Sequence, residues 1–329
     1  MSAPTGGGDA VEALQVGTID GWLERDGARD EVFGALDTAG AVLLRGDAPL
    51  GTEGVARARD LLGLSALPTA DDFAPRDELG TGAIGAPHWP GDREMCPHHE
   101  RGHSVTAPSI VLLSALQVAP TGGQTVLADT QDVLRRIPDG VRDALAEVGW
   151  LSVRTYRPFF GVNWPQMFGT DDPVAVEDLL AELGWEAEWT RDGALRTAGR
   201  RPAVLHHPRT GQESWWGQLT FFNQWALDDV ERELLISSFG VDALPFNTSR
   251  GDGTPLTRQE FDTLLAAYEP SSRLIDWSPG DLLILDNVRT AHGRRPHTGT
   301  RTMAVAPCEA FSVRAADPRS LSAPGGHIG

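Results

Sequence analysis

The stretch Leu282-Leu283-Ile284-Leu285-Asp286-Asn287-Val288-Arg289-Thr290-Ala291-His292-Gly293-Arg294 joins an apolar run to a lone histidine. The run is short and follows Pro279-Gly280-Asp281. That length and punctuation suit a buried strand better than a helix. An expected strand over Asp281–Asp286 therefore delivers His292 to a fixed place. Ala41–Arg45, Ser109–Val118 and Thr302–Ala306 have the same character and complete a set of expected core strands. The middle of the chain differs. Pro173–Gly184 begins with Pro and ends with Gly, the order a helix prefers. Asp228–Phe239 and Thr257–Tyr268 open on capping-box patterns, Asp228 with Glu231 and Thr257 with Glu260. Another helix is expected over Ala28–Ala39 from the spacing of Val32, Ala35 and Leu36. Strands at both ends with helices between them predict a mainly β fold with inserted helices. One domain is expected over residues 10–315, its insert covering about 150–275, with flexible ends at 1–9 and 316–329.

Pro97-His98-His99-Glu100 supplies partners for His292. On an extended strand, the first and third side chains of H-x-E share a face, so His98 and Glu100 can reach one ion. Two imidazoles and one carboxylate on one face of Fe(II) leave three positions open for a chelating co-substrate and O2. The three-residue pattern alone recurs by chance, and a lone histidine is more often structural. The combination with a co-substrate pocket is what raises the reading above that background.

2-Oxoglutarate would chelate such an iron through its keto-acid end. Its distal carboxylate then needs a fixed cation, and arginine meets that need with a planar, permanently charged fork. Arg301 follows His292 by nine positions and begins the next apolar strand. A hairpin turning at Thr298-Gly299-Thr300 would return it toward the metal. Arg294 is the second candidate because it lies closer to His292. Thr125, in Thr121-Gly122-Gly123-Gln124-Thr125, is equally suited to donating a hydroxyl to that carboxylate and to a plain turn.

These residues resemble the taurine dioxygenase/TfdA-like Fe(II)/2-oxoglutarate oxygenases, in the branch of natural-product amino-acid hydroxylases near the clavaminate synthase-like enzymes. The matching stretches run in order from about residue 30 to 307: Gly40–Gly46, Pro97–Glu100, Pro120–Thr125 with Ala128-Asp129, His207–Gly211, Gly251–Gly253, Trp277–Asp281, and Asp286-Asn287 through His292-Gly293-Arg294 to Arg301. An ordered set is far more specific than any one motif. The resemblance implies His98, Glu100 and His292 as iron ligands, Thr125 and Arg301 as 2-oxoglutarate contacts, and a double-stranded β-helix (jelly-roll) core. It also implies hydroxylation of an unactivated C–H in a small molecule, an amino acid or related natural-product intermediate, with 2-oxoglutarate and O2 consumed. Related halogenases carry a small residue where Glu100 stands, so the carboxylate favours hydroxylation. Desaturation, epoxidation and cyclisation remain open alternatives. The chain departs from the family at Trp215-Trp216-Gly217-Gln218, where Trp-Phe-Asn-Gln is common, and at His297, where Phe is common.

The substrate pocket is expected from the loop before His98 and the long insert. Arg157, Trp216, Phe222 and Asn223 are its first candidates, followed by Arg154, Trp164, Trp215 and Phe221. Most aromatic residues in such runs are core.

Composition narrows the classes. The formal net charge of −18 and the absence of any basic stripe argue against a nucleic-acid partner. The chain contains no lysine, which excludes Schiff-base chemistry and the phosphate-loop lysine. Two cysteines do not make a disulfide framework and fit a cytoplasmic protein. The N-terminal residues lack a basic segment followed by an apolar one, so no signal peptide is expected, and no apolar run approaches membrane length. Whether the substrate is free or tethered to a carrier protein, and whether the chain forms a homo-oligomer, stays open. The competing classes are a non-catalytic, cupin-like binding protein and a zinc hydrolase, and neither gives Arg301 and Thr125 a task.

Overall fold

In a computed structural model, which describes residues 13–67, 76–80 and 83–313, Leu282–Asp286 is an inner strand of a six-stranded sheet. The order is Leu14–Gln15, Ala41–Arg45, Leu282–Asp286, Thr106–Gln117, Thr302–Ser312 and Ile84–Gly85. A four-stranded sheet faces it, ordered Ser272–Ile275, Thr125–Asp129, Thr290–Arg294, Met95–His98. The alternation of side chains along each strand sorts the core into layers. Leu283 and Leu285 meet Leu127 and Ile275 between the two sheets. Leu282 and Ile284 point the other way, onto Val32, Leu36, Val55 and Leu62 of the N-terminal helices. Ala128 and Ala291 turn outward from the smaller sheet and pack on Trp150, Val204 and Trp215 of the insert. Every face of both sheets is thus covered, and the architecture is a jelly-roll core with inserted helices.

Local chemistry explains the helix ends. Ala28–Ala39 stops at Gly40, whose left-handed φ of 74° lets its N–H reach the Leu36 carbonyl. Thr257 and Glu260 form the expected capping box ahead of Arg258–Ala266. Asp228 caps Asp229–Phe239 through the Glu231 N–H, and Asp172 caps Pro173–Glu182 through the Val174 N–H.

Several expectations need correcting. The last strand does not stop at Ala306. It runs through Pro307 to Ser312, paired with Thr106–Val111, because a proline costs one ladder donor and not the strand. The segment after His292 is not a simple hairpin. Thr290–Arg294 lies in the four-stranded sheet and Thr302–Ser312 in the six-stranded one, so the connection crosses between sheets. On the way, His297-Thr298 pairs with Thr121-Gly122. The insert is not only helical: it carries a second antiparallel sheet, ordered Phe246–Arg250, Trp150–Tyr156, Leu195–Arg201, Glu186–Trp189. The expected flexible ends at 1–9 and 316–329 fall outside the described residues.

One glycine bears directly on the site. A Cβ on Gly293 would come within 2.5 Å of the Met95 carbonyl oxygen and 3.0 Å of the Pro97 nitrogen. The strand holding His292 can approach the strand holding His98 only because that side chain is missing. Gly293→Ala is expected to lower stability by about 1–3 kcal/mol, the usual cost of overpacking, and to weaken metal binding by separating the two strands. Thermal unfolding and Co(II) titration measure the two effects, and unaltered cobalt affinity would refute the link between them.

Candidate active site

His98, Glu100 and His292 come together, all buried, with their ligand atoms within 4.8 Å of one another. Register does part of this work. His292 lies opposite His98 on one side and Leu127 on the other, so it shares the inner face with them. The Nδ1 of His98 lies 2.9 Å from the Cys96 carbonyl; as the donor tautomer it leaves Nε2 for a metal. The Nε2 of His292 is 3.7 Å from Oε2 of Glu100.

Glu100 is not placed by strand alternation, as the H-x-E spacing suggested. The strand ends at His98 and Glu100 occupies the turn beyond it. Asn287 holds it there. Its Oδ1 accepts from the Glu100 N–H at 2.8 Å, and its Nδ2 donates to the carbonyls of Glu100 at 3.0 Å and Pro108 at 2.8 Å. Asp286 fixes the adjacent turn. Its Oδ1 accepts from the N–H groups of Val288 and Arg289, while Oδ2 meets His207 Nε2 and Arg209 Nη2, each at 2.7 Å. Asp286-Asn287 and His207-Pro208-Arg209 thus read as one brace behind the ligands.

The electrostatics suit metal binding. Burial, helped by the neighbouring His98, pushes the His292 imidazole down to about 3. Burial likewise lowers His98. Both rings therefore keep lone pairs at neutral pH. Burial alone would raise the Glu100 carboxyl, but Arg76, with His292, His98 and Arg101, outweighs it and holds the group at about 2. Two neutral imidazoles and one carboxylate, without thiolate, match the donor set of a ferrous facial triad.

Arg301 and Thr125 also converge. Nε of Arg301 donates to the Gly123 carbonyl at 3.1 Å, and Nη2 lies 3.4 Å from Thr125 Oγ1. Trp277 Nε1 donates to the same hydroxyl at 2.9 Å. Arg301 is partly exposed at its surface, yet desolvation, with Arg294 nearby, pulls its guanidinium down to about 10. It also borders a cavity of about 230 Å³ with Gly123, Asp276, Trp277 and Met303, to which the triad does not contribute. Arg294 is placed otherwise. Its Nη2 donates to the carbonyls of Pro90 at 2.6 Å and Arg93 at 2.9 Å, which ties the loop before His98 to the metal strand.

The insert residues divide. Phe221 stacks on His98 with ring centroids 4.3 Å apart and is flanked by Trp89 and Phe222. Phe222 stacks on Phe246 and lines a cavity with His103, Arg154, Tyr156 and Thr197. Three first-rank candidates go elsewhere. Trp216 is core, against His99 and Phe311. Asn223 is consumed by Thr248 and the Trp225 N–H. Arg157 lies over Phe239, 4.2 Å from its ring. The departure at Trp215–Gln218 is likewise structural: Gln218 donates to the His99 carbonyl and contacts His103 Nδ1. Sequence reasoning missed Arg76, whose Nη2 lies 2.5 Å from Glu100 Oε1.

A jelly roll with a buried face of two histidines and one carboxylate defines a non-haem metal oxygenase. The pattern of the family described as "Taurine catabolism dioxygenase TauD, TfdA family" matches residues 6–306, so the chain belongs to the TauD/TfdA family. It is an Fe(II)- and 2-oxoglutarate-dependent dioxygenase. Dapdiamide synthesis protein DdaC of Enterobacter agglomerans is 27% identical over 300 residues, covering 91% of each chain. A clavaminate synthase-like protein of Arabidopsis thaliana is 26% identical over 285 residues, covering 83% of each. Among solved structures, a taurine dioxygenase from Burkholderia xenovorans aligns with a TM-score of 0.52 at 14% identity, over 92% of this chain and 87% of that one. The structure of AAD-2 in complex with Mn(II) and N-oxalylglycine aligns with a TM-score of 0.50 at 16% identity, over 92% and 95%. These two likenesses speak to the fold. No described helix is long and apolar enough to cross a membrane.

Proposed function

We propose that this dioxygenase hydroxylates an unactivated C–H of a small amino-acid-like natural-product intermediate in the cytoplasm. The observation that carries the co-substrate assignment is Arg301, a desolvated guanidinium whose polar contacts are the Gly123 carbonyl and the Thr125 hydroxyl. A carboxylate would relieve the cost of that charge. Thr125 Oγ1 already accepts from Trp277 and lies beside Arg301, which leaves its own proton for an acceptor oxygen. Arg301 and Thr125 would hold the distal carboxylate of 2-oxoglutarate, while His98, Glu100 and His292 would hold the iron.

Iron(II) with 2-oxoglutarate and O2 supplies an oxidative decarboxylation to succinate and CO2, and an oxidant strong enough to attack a C–H bond. The chain's own part is placement. His98 is locked by Cys96, Glu100 by Asn287, and the apolar wall of Trp89, Phe221 and Phe222 keeps water from the reacting carbon. Arg154, held between the rings of Tyr156 and Phe246, borders with Phe222 a void of about 10 Å³, the size of a single water, so it supports the aromatic wall from behind. The relationship to a dapdiamide synthesis protein supports an amino-acid-derived substrate.

The test is aerobic incubation with Fe(II) and 2-oxoglutarate against amino acids and peptides, both free and thioester-linked to a carrier protein. Succinate release coupled to a product that gains one oxygen is expected. A product that loses two hydrogens would redirect the reading to desaturation or cyclisation. No substrate-stimulated succinate across the panel would count against an amino-acid-like substrate.

A further inference from the structure

We infer that Arg76 is a positioning residue that restricts Glu100 to one-oxygen coordination and so keeps a position on the iron open for 2-oxoglutarate. The two carboxylate oxygens of Glu100 have different neighbours. Oε1 accepts from Nη2 of Arg76 at 2.5 Å, with both side chains almost fully buried. Oε2 is the oxygen turned toward Nε2 of His292, 3.7 Å away. Asn287 fixes the Glu100 backbone through both its N–H and its carbonyl, so moving Oε1 off Arg76 requires rotation of the side chain itself.

A carboxylate can grip a metal through one oxygen or two. Two histidines with a one-oxygen glutamate leave three of six positions open, enough for a chelating keto acid and O2. A two-oxygen glutamate would leave only two, and the keto acid would then compete with O2. A guanidinium on Oε1 blocks the second grip. Arg76 itself is anchored, because the neighbouring Asp77 carbonyl accepts from the Gly85 N–H at 2.7 Å at the edge of the larger sheet.

The inference separates from a merely structural role by the sign of one effect. In Arg76→Met, Glu100 is free to close on the metal with both oxygens, and a nearby positive charge is gone. Co(II) affinity, measured by calorimetry on the full chain, is therefore expected to hold or tighten. 2-Oxoglutarate affinity at saturating Co(II) is expected to weaken by about tenfold or more, the scale on which outer-shell partners act. The ligand-field absorbance of bound Co(II) should change before 2-oxoglutarate is added. Arg76→Lys, which keeps a charged donor on a long stem, should restore much of the wild-type spectrum and affinity. Thermal unfolding of the Co(II)-loaded proteins identifies a variant that fails to fold, and in that case the lysine variant decides. Weaker cobalt binding with unchanged 2-oxoglutarate affinity would overturn the inference. So would a wild-type cobalt spectrum in Arg76→Met, or a lysine variant no better than methionine.

Discussion

Glu100→Ala is expected to abolish succinate formation and to weaken Fe(II) binding by more than about a hundredfold, since even outer-shell partners cost 10- to 100-fold when removed. The substitution deletes the only carboxylate in the triad. It also leaves the Arg76 guanidinium buried without that acid. Breaking a buried charge pair by removing one member costs about 3–5 kcal/mol, so the metal-free variant should also melt earlier than the parent. Two controls keep these effects apart. Arg76→Met/Glu100→Ala removes both charges and should recover much of the lost stability without recovering metal affinity. Glu100→Asp keeps the charge and the Asn287 clamp on the backbone but shortens the reach, so it should retain weak metal binding. Isothermal titration with Mn(II) and thermal unfolding, each on the metal-free protein, provide the two readouts. Full succinate release by Glu100→Ala would mean that the ligand assignment is wrong.

The reach of sequence reasoning follows from what kind of contact each residue makes. His98, Glu100 and His292 could be picked out as candidates because metal chemistry demands particular side chains, and those side chains are written in the chain even though His292 lies far from the other two. Ala28–Ala39 was legible because helix period is a local property. Arg76 was not. It reaches Glu100 across 24 positions, from a stretch with no periodicity around it. The sheet within the insert was hidden for a different reason. Leu195–Arg201 buries Thr197 and Arg201 as fully as Leu195, so no alternation of apolar and polar residues marks it as a strand. The two aromatic pairs look alike in sequence, but Trp215-Trp216 went to the core and Phe221-Phe222 to the metal side. Gly217 opens the irregular segment that lies between the two pairs. Its φ of 118° and its closeness to Trp150 admit no side chain.

Arg301→Met is expected to remove 2-oxoglutarate binding while leaving the ligand-free protein as stable as the parent or more so. The two halves of this expectation come from one observation, a guanidinium pulled down from its ordinary value by desolvation. For a basic group, a folded value below the unfolded one means that the fold disfavours the charged form. That penalty is fully present at every pH below about 10 and fades only as pH rises through it, so at neutral pH the ligand-free protein bears all of it. Methionine keeps much of the apolar stem and gives up the charge, along with one hydrogen bond to the Gly123 carbonyl. The bound state answers differently. There the guanidinium would meet a carboxylate, and truncating one partner of a buried, hydrogen-bonded charge pair costs about 2–5 kcal/mol, or about 30- to 5,000-fold in Kd. Arg301→Lys should fall between, because a point charge cannot reproduce the planar fork. The measurement is the shift in melting temperature on adding 2-oxoglutarate to the Mn(II)-loaded protein, large for the parent, small for lysine and absent for methionine. If Arg301 only supported the strand that follows it, methionine would lower the ligand-free melting temperature and leave the ligand-induced shift in place.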